Sequence, residues 1–223
     1  LSIFSIGFFS DINFLSSPKL RLLLQSFIII FFVIFLEIQI SSTRFLFLDN
    51  LLENIYFKYF FSSFCLLILI NGSNFIDGLN GLVLGYFSIL LLIIFKLNYF
   101  YYIELDNILI VNFILILFFL FILNINNKLF MGDSGSYVLS LLTGFFLIKI
   151  YELNAHISPY FIILLLWYPC FENLFSIIRK LRLNRSALKA DFNHLHQLLF
   201  LFINLKIRKK KLANNLSGIL INF

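Results

Sequence analysis

Six stretches of the chain are predominantly apolar: residues 22–40, 56–70, 82–95, 108–125, 137–150 and 159–178. Strands of a membrane barrel would alternate polar and apolar positions, and these runs do not. Such runs suit helices, whose backbone groups are satisfied internally while their side chains meet lipid. Some runs fall short of the roughly 20 residues that cross a bilayer. Their helices are therefore expected to extend into the flanking polar motifs. A seventh segment, residues 198–207, runs into "RKKK" at 208–211 and is a weaker candidate. The pattern predicts an all-α polytopic transmembrane helix bundle of about six to seven spans. No internal repeat, low-complexity linker or second domain interrupts it, so residues 1–223 are read as one integral-membrane domain.

Composition agrees. The chain is 61% hydrophobic and 13% charged, against about 25% charged in an ordinary soluble domain. Its mean hydropathy is +0.98. So few charges cannot cover the surface of a soluble fold of this length. Cys65 and Cys170 both fall in apolar runs and are read as small hydrophobes rather than a disulfide or metal pair. The opening "LSIFSIGFF" has no initiating methionine, no basic start and no small-residue cleavage site. It reads as the tail of a hydrophobic segment, and an N-terminal truncation is expected.

Counting crossings gives the apolar runs a direction. The segments 10–21, 71–81, 128–136 and 179–196 are separated from one another by two spans each, so all four fall on one face. That face carries Lys19, Arg21, Lys128, Arg179, Lys180, Arg182, Arg185 and Lys189, against Arg44, Lys58, Lys96 and Lys149 opposite. By the positive-inside rule the four segments are cytoplasmic. Asp49, Glu53, Glu104, Asp106 and Glu152 lie in the opposite loops. The cytoplasmic segments hold one carboxylate each, Asp11, Asp77, Asp133 and Asp191, with Glu172 inside the sixth span close to them.

Acids and histidines gathered from distant parts of the chain, among basic residues, suit metal-assisted phosphate chemistry. Mg²⁺ takes one or two protein carboxylates and keeps positions for phosphate oxygens. Basic side chains and histidines suit the phosphates themselves. In "NGSNFIDGLNG" (71–81) the glycines allow tight turns and close backbone approach. The plainer reading is a turn between spans with a solvated acid. In "FMGDSGSY" (130–137), Ser134 also suits a helix cap, and Asp133 favours the helix dipole. In "ADFNHLHQLL" (190–199), His194 and His196 are two apart. On a helix they point to different sides, whereas in an irregular loop they can face one ligand.

These stretches resemble the polyprenyl-phosphate N-acetylhexosamine-1-phosphate transferases, which start O-antigen, enterobacterial common antigen and teichoic acid synthesis. The related peptidoglycan translocase is part of the same group. "NGSNFIDGLNGL" is similar to the family's Asn-x-x-Asn-x-x-Asp-Gly-x-(Asp/Asn)-Gly-Leu, and "FMGDSGS" to its Phe-Met-Gly-Asp-x-Gly-Ser. "YPCFENLFSIIRK…KADFNHLHQLL" resembles its last cytoplasmic loop with a His-x-His element. The resemblance covers nearly the whole chain and implies about two and a half further helices before residue 7. It also marks departures. Ser10 stands where the family has the first of two adjacent aspartates, Asn80 where many members have Asp, and Glu172 where many have Asp.

The resemblance implies transfer of N-acetylhexosamine-1-phosphate from a UDP-sugar to polyprenyl (undecaprenyl) phosphate, beginning a cell-envelope polysaccharide. Mg²⁺ is the implied cofactor, with Mn²⁺ compatible. Asp11, Asp77, Asp133, His194 and His196 are the implied catalytic residues, with Asp133 the metal ligand. Asn71, Asn74 and Asp77 would shape the nucleotide-sugar site, Asp11 would act on the lipid phosphate, the histidines would hold the diphosphate, and Phe130 would lie near uracil. The expected location is a bacterial inner membrane, with the site facing the cytoplasm. The expected partners are UDP-N-acetylhexosamine, polyprenyl phosphate and the bilayer, with a homodimer compatible and no nucleic acid. Two other readings compete. A transporter would carry ionisable residues in mid-span, and most spans here hold none. A non-catalytic or fragmentary homologue, binding substrate without turnover, draws on Ser10 and on the expected N-terminal truncation.

Overall fold

A computed structural model describes residues 1–101, 107–154, 156–184 and 194–222, with side chains described for all of these except 99–101. It is 80% helical. Among the described residues there are eleven helices and no strand. Arg185, Lys189 and Asp191, and Glu104 and Asp106 of the opposite loop, lie outside the described residues.

Each of the six apolar runs forms helix, although the first stops at Phe35, five residues short of its expected end, where Glu37 takes a positive φ of 52°. The first forms α2 (Pro18–Phe35), after α1 (Ser2–Asp11). Pro18 sits in the first turn of α2, where its missing N–H costs nothing, and the Ser17 hydroxyl caps that turn. A short α3 (Leu46–Leu52) leads into α4 (Ile55–Ile76), then α5 (Leu82–Tyr101), α6 (Asn107–Ile125) and α7 (Gly132–Leu153). The sixth run is divided into α8 (Pro159–Leu165) and α9 (Trp167–Arg182), bent by 78°. Pro169 supplies the reason. It offers no N–H to the carbonyl of Leu165, and its ring crowds that carbonyl, so the helix restarts just before it. Helices α10 (Leu195–Ile207) and α11 (Lys210–Ile221) follow.

Among the described residues four helices, α2, α4, α6 and α7, are long and apolar enough to cross a membrane, and the bent α8–α9 pair makes a fifth if it is one span. Their outward faces carry Phe27, Phe31 and Phe35 on α2 and Leu115, Phe118 and Phe119 on α6, all exposed. Lipid solvates such surfaces and water does not.

The chain divides into two compact units, Leu1–Asn74 with Gly132–Phe171, and Phe75–Met131 with Glu172–Phe223. In the first, Ile3 and Ile6 of α1, Ile29 and Val33 of α2, Ile70 of α4 and Tyr137 of α7 belong to one buried cluster. Helix α1 meets α7 so closely that a Cβ at Gly7 would collide with the Ser134 backbone. In the second unit α5 packs on α6, and α11 on both α10 and α5.

Candidate active site

In the first unit α1 ends against the start of α7. Asp11, the last residue of α1, accepts the Asp133 N–H at Oδ1 (2.8 Å), and at Oδ2 the Ser134 N–H (3.1 Å) and Ser134 hydroxyl (2.8 Å). Those N–H groups open α7 and have no carbonyl partner within the helix, so a carboxylate from elsewhere satisfies them and complements the helix dipole. Gly132 makes this approach feasible. Its φ is +62°, and a Cβ there would stand 2.8 Å from Asp11 Oδ2. The α7 cap therefore comes from Asp11, whereas the local sequence offers Ser134.

Asp133, held in that first turn, turns its carboxylate toward α1 and α2. Its Oδ2 accepts from the Ser10 hydroxyl (2.5 Å), Arg21 Nη1 (2.6 Å) and the Tyr137 hydroxyl (3.3 Å). Arg21 Nη1 also donates to Ser10 Oγ. Arg21 and Asp133 form a half-buried ion pair. Oδ1 of Asp133 accepts no hydrogen bond from a described residue, and the side chain is partly exposed. The face of α4 completes the arrangement. Asn74 donates to the Tyr137 hydroxyl (3.4 Å) and accepts from Ser136 (3.4 Å), and Asn71 donates to Gln25 (3.1 Å). Asn71 and Asn74 are three apart on a helix that runs through Ile76, which places them on one side.

The second unit holds the remaining candidates. Asp77 opens the turn after α4 and is half-buried. Three residues further on, at Asn80, an amide network begins. The Asn80 N–H donates to Asn214 Oδ1 (2.8 Å), and its side-chain amide donates to Asn127 (2.9 Å) and Asn215 (3.1 Å). Gly81 N–H donates to Asn124 Oδ1 (2.6 Å). Asn80 is buried and ties the turn to α6 and α11, with its amide as the donor to two other side chains. Phe130, beyond α6, is exposed.

His194 and His196 do come together, because only one of them is on a helix. His194 is the N-cap of α10 with extended backbone, and His196 lies in the first turn. Their rings stack at 5.5 Å, and Phe75 stacks on His194 at 5.8 Å. Glu172 holds this arrangement from α9. Its Oε2 meets His194 Nδ1 at 2.8 Å and its Oε1 accepts the Leu195 N–H at 3.2 Å. One carboxylate thus orients an imidazole and caps a helix. Its signal in the sequence is a lone acid in an apolar run. A Cβ at Gly78 would touch His196 Nε2 at 3.4 Å, so the turn that carries Asp77 passes beside the imidazole.

Burial pushes the His196 imidazole down from its usual 6.5 to about 4, with His194 adding to the shift and Glu172 opposing it. Between those values the unfolded chain binds a proton that the folded chain refuses. His196 therefore contributes full stability above pH 6.5, and that contribution is lost as pH falls toward 4. Thermal melting of the detergent-solubilised protein across this window should show the fall, and His196→Gln should make it shallower. An unchanged slope would contradict the burial of a neutral imidazole.

The model of glycosyl transferase family 4 matches residues 1–151. The chain belongs to glycosyl transferase family 4. No curated protein and no solved structure gives a significant match. The family match takes in Asp11, Asn71, Asn74, Asp77, Phe130 and Asp133, and it ends before Glu172 and the histidines. Membership, with the apolar helices, makes the chain a membrane glycosyl phosphotransferase.

Proposed function

We propose that the chain transfers N-acetylhexosamine-1-phosphate from a UDP-sugar to polyprenyl (undecaprenyl) phosphate, on the cytoplasmic side of a bacterial inner membrane, to begin a cell-envelope polysaccharide. The observation that carries this reading is Asp133. It is a half-buried carboxylate at a helix N-terminus, with one oxygen held by Ser10, Arg21 and Tyr137 and the other accepting from no described residue. Helix N-termini and arginines both favour phosphate.

An oxygen of the lipid phosphate attacks the β-phosphorus of the donor. The bond from that phosphorus to the bridging oxygen breaks, UMP leaves with the electron pair, and a polyprenyl-diphosphate sugar forms. Such a transfer depends on positioning and charge neutralisation more than on covalent help. Arg21, beside Asp133, would neutralise phosphate charge, Asn71 and Asn74 would shape the nucleotide-sugar site, and Asp11, which caps the α7 N-terminus, would act on the lipid phosphate. His194, oriented by Glu172, and His196 would hold diphosphate oxygens, with Asp77 and Phe130 toward the nucleotide.

Among the described residues no three His, Cys, Asp or Glu side chains gather to hold a metal by themselves. Mg²⁺ requires only one or two carboxylates when phosphates supply the rest. Asp133 fits that requirement through Oδ1. Bound there, Mg²⁺ (or Mn²⁺) would supply charge stabilisation to the diphosphate and the leaving UMP.

A second reading, a homologue that binds substrate without turnover, draws on Ser10 and on the ion pair that already neutralises Asp133. Membranes carrying the protein, given polyprenyl phosphate and a panel of UDP-N-acetylhexosamines, separate the two. The transferase reading expects UMP release with at least one donor, abolished by a chelator and restored by Mg²⁺. Saturable donor binding with no UMP release would favour the second.

A further inference from the structure

Helix α10 is 13 residues long, about 20 Å, and cannot cross a hydrocarbon core of about 30 Å. Its inner side is buried through His196 and Ile203. Its other side exposes Leu195, Leu198, Leu201, Phe202 and Leu205, which at 3.6 residues per turn cover an arc of about 120°. The stripe leads straight into a cluster of cations. Lys206 lies over the Phe202 ring at 4.4 Å, and Arg208, Lys209, Lys210 and Lys211 follow, all exposed.

Nothing described in the fold compensates this charge. Among the described residues none of the five cations pairs with a carboxylate, and no Asp or Glu follows Asp191 in the chain. Three lysines also stand at the N-terminus of α11, with Lys209 as N-cap, the end of a helix dipole that disfavours cations. An apolar stripe bordered by uncompensated basic residues suits an interfacial helix on an anionic membrane.

We propose that α10 lies along the membrane–water interface, its apolar stripe in the acyl boundary, and that Lys206 and residues 208–211 form a docking surface for anionic phospholipid headgroups. The surface anchors the helix whose first turn carries His196. The inference stands independently of the phosphosugar chemistry.

The test uses the full chain with Cys65→Ala, Cys170→Ala and Leu201→Cys, the last carrying an environment-sensitive fluorophore. It is reconstituted in nanodiscs of phosphatidylcholine with increasing phosphatidylglycerol, and quenching by brominated acyl chains is read. Quenching should increase with phosphatidylglycerol. Lys210→Gln should raise the phosphatidylglycerol fraction needed for half-maximal quenching, by up to about fivefold. Glutamine at all of 208–211 should abolish the dependence, and arginine at 209–211 should keep it. Should the glutamine variant not fold by circular dichroism and gel filtration, high salt on the native sequence must remove the dependence instead. Quenching that ignores phosphatidylglycerol, or is absent in every disc because α10 faces water or a protein partner, would overturn the proposal.

Discussion

Asp133→Asn should lower sugar-phosphate transfer by about 10²–10³-fold, the usual effect of losing one charge-stabilising group, while the chain still inserts and folds. The amide keeps the shape of the carboxylate, so the hydroxyls of Ser10 and Tyr137 keep an acceptor. The charge disappears, Arg21 loses its counter-ion, and Oδ1 gives way to a poor metal ligand. The amide oxygen still accepts from the Ser10 and Tyr137 hydroxyls, so the loss is chiefly that of one partly exposed ion pair and should cost about 1 kcal/mol of stability. Initial rates at saturating and at low Mg²⁺, set beside a thermal melt, separate the two effects. Rates within a fewfold of wild type at both Mg²⁺ levels would remove Asp133 from the chemistry.

Asp11→Asn should be the more damaging of the two changes available at the end of α1, and chiefly through stability. The carboxylate accepts two N–H groups and one hydroxyl. An asparagine turns an NH₂ toward one of those donors and leaves it unsatisfied, at a cost of about 1–3 kcal/mol, with the loss of charge at the helix N-terminus added. Ser10→Ala removes one hydroxyl donor, about 1 kcal/mol, and Arg21 remains on Asp133. The melting temperature should therefore fall by several degrees for Asp11→Asn and by less for Ser10→Ala, and incorporation of labelled sugar phosphate into lipid should follow the same order. If Asp11→Asn keeps its activity and Ser10→Ala loses it, the serine has taken over the aspartate's part. If neither matters, α1 is only a connector. An aspartate at position 10 would meet Asp133 across Arg21, so serine keeps this pair of helices from setting two carboxylates against one guanidinium.

The helices were legible because lipid leaves the backbone few alternatives. The predominantly apolar runs at 108–125 and 137–150 lie within α6 and α7, and α7 extends beyond its run at both ends. The apolar pattern at 159–178 continues across Pro169, but the effect of that proline on the carbonyl four residues back breaks the helix. The motif beginning at Asn71 suggested a turn, yet helix continues through Ile76, which sets Asn71 and Asn74 on one face of α4. Asp133 stood out as a lone acid among small residues. Its partners did not, since Ser10 and Arg21 reach it from over a hundred positions away. Glu172 was visible as an isolated charge in an apolar run, but its pairing with His194 depends on where α9 ends and α10 begins. The Asn80 network was hidden for the same reason. Asparagines at 124, 127, 214 and 215 look like ordinary loop and helix-end residues until the fold brings them together.

The central claim is that phosphorus travels with the sugar. A UDP-N-acetylhexosamine radiolabelled in its β-phosphate, incubated with membranes containing the protein, polyprenyl phosphate and Mg²⁺, tests it in one step. The account predicts label in the lipid fraction and unlabelled UMP in the aqueous phase, both lost in Asp133→Asn. Label remaining in water as UDP, with sugar alone passing to the acceptor, would contradict it.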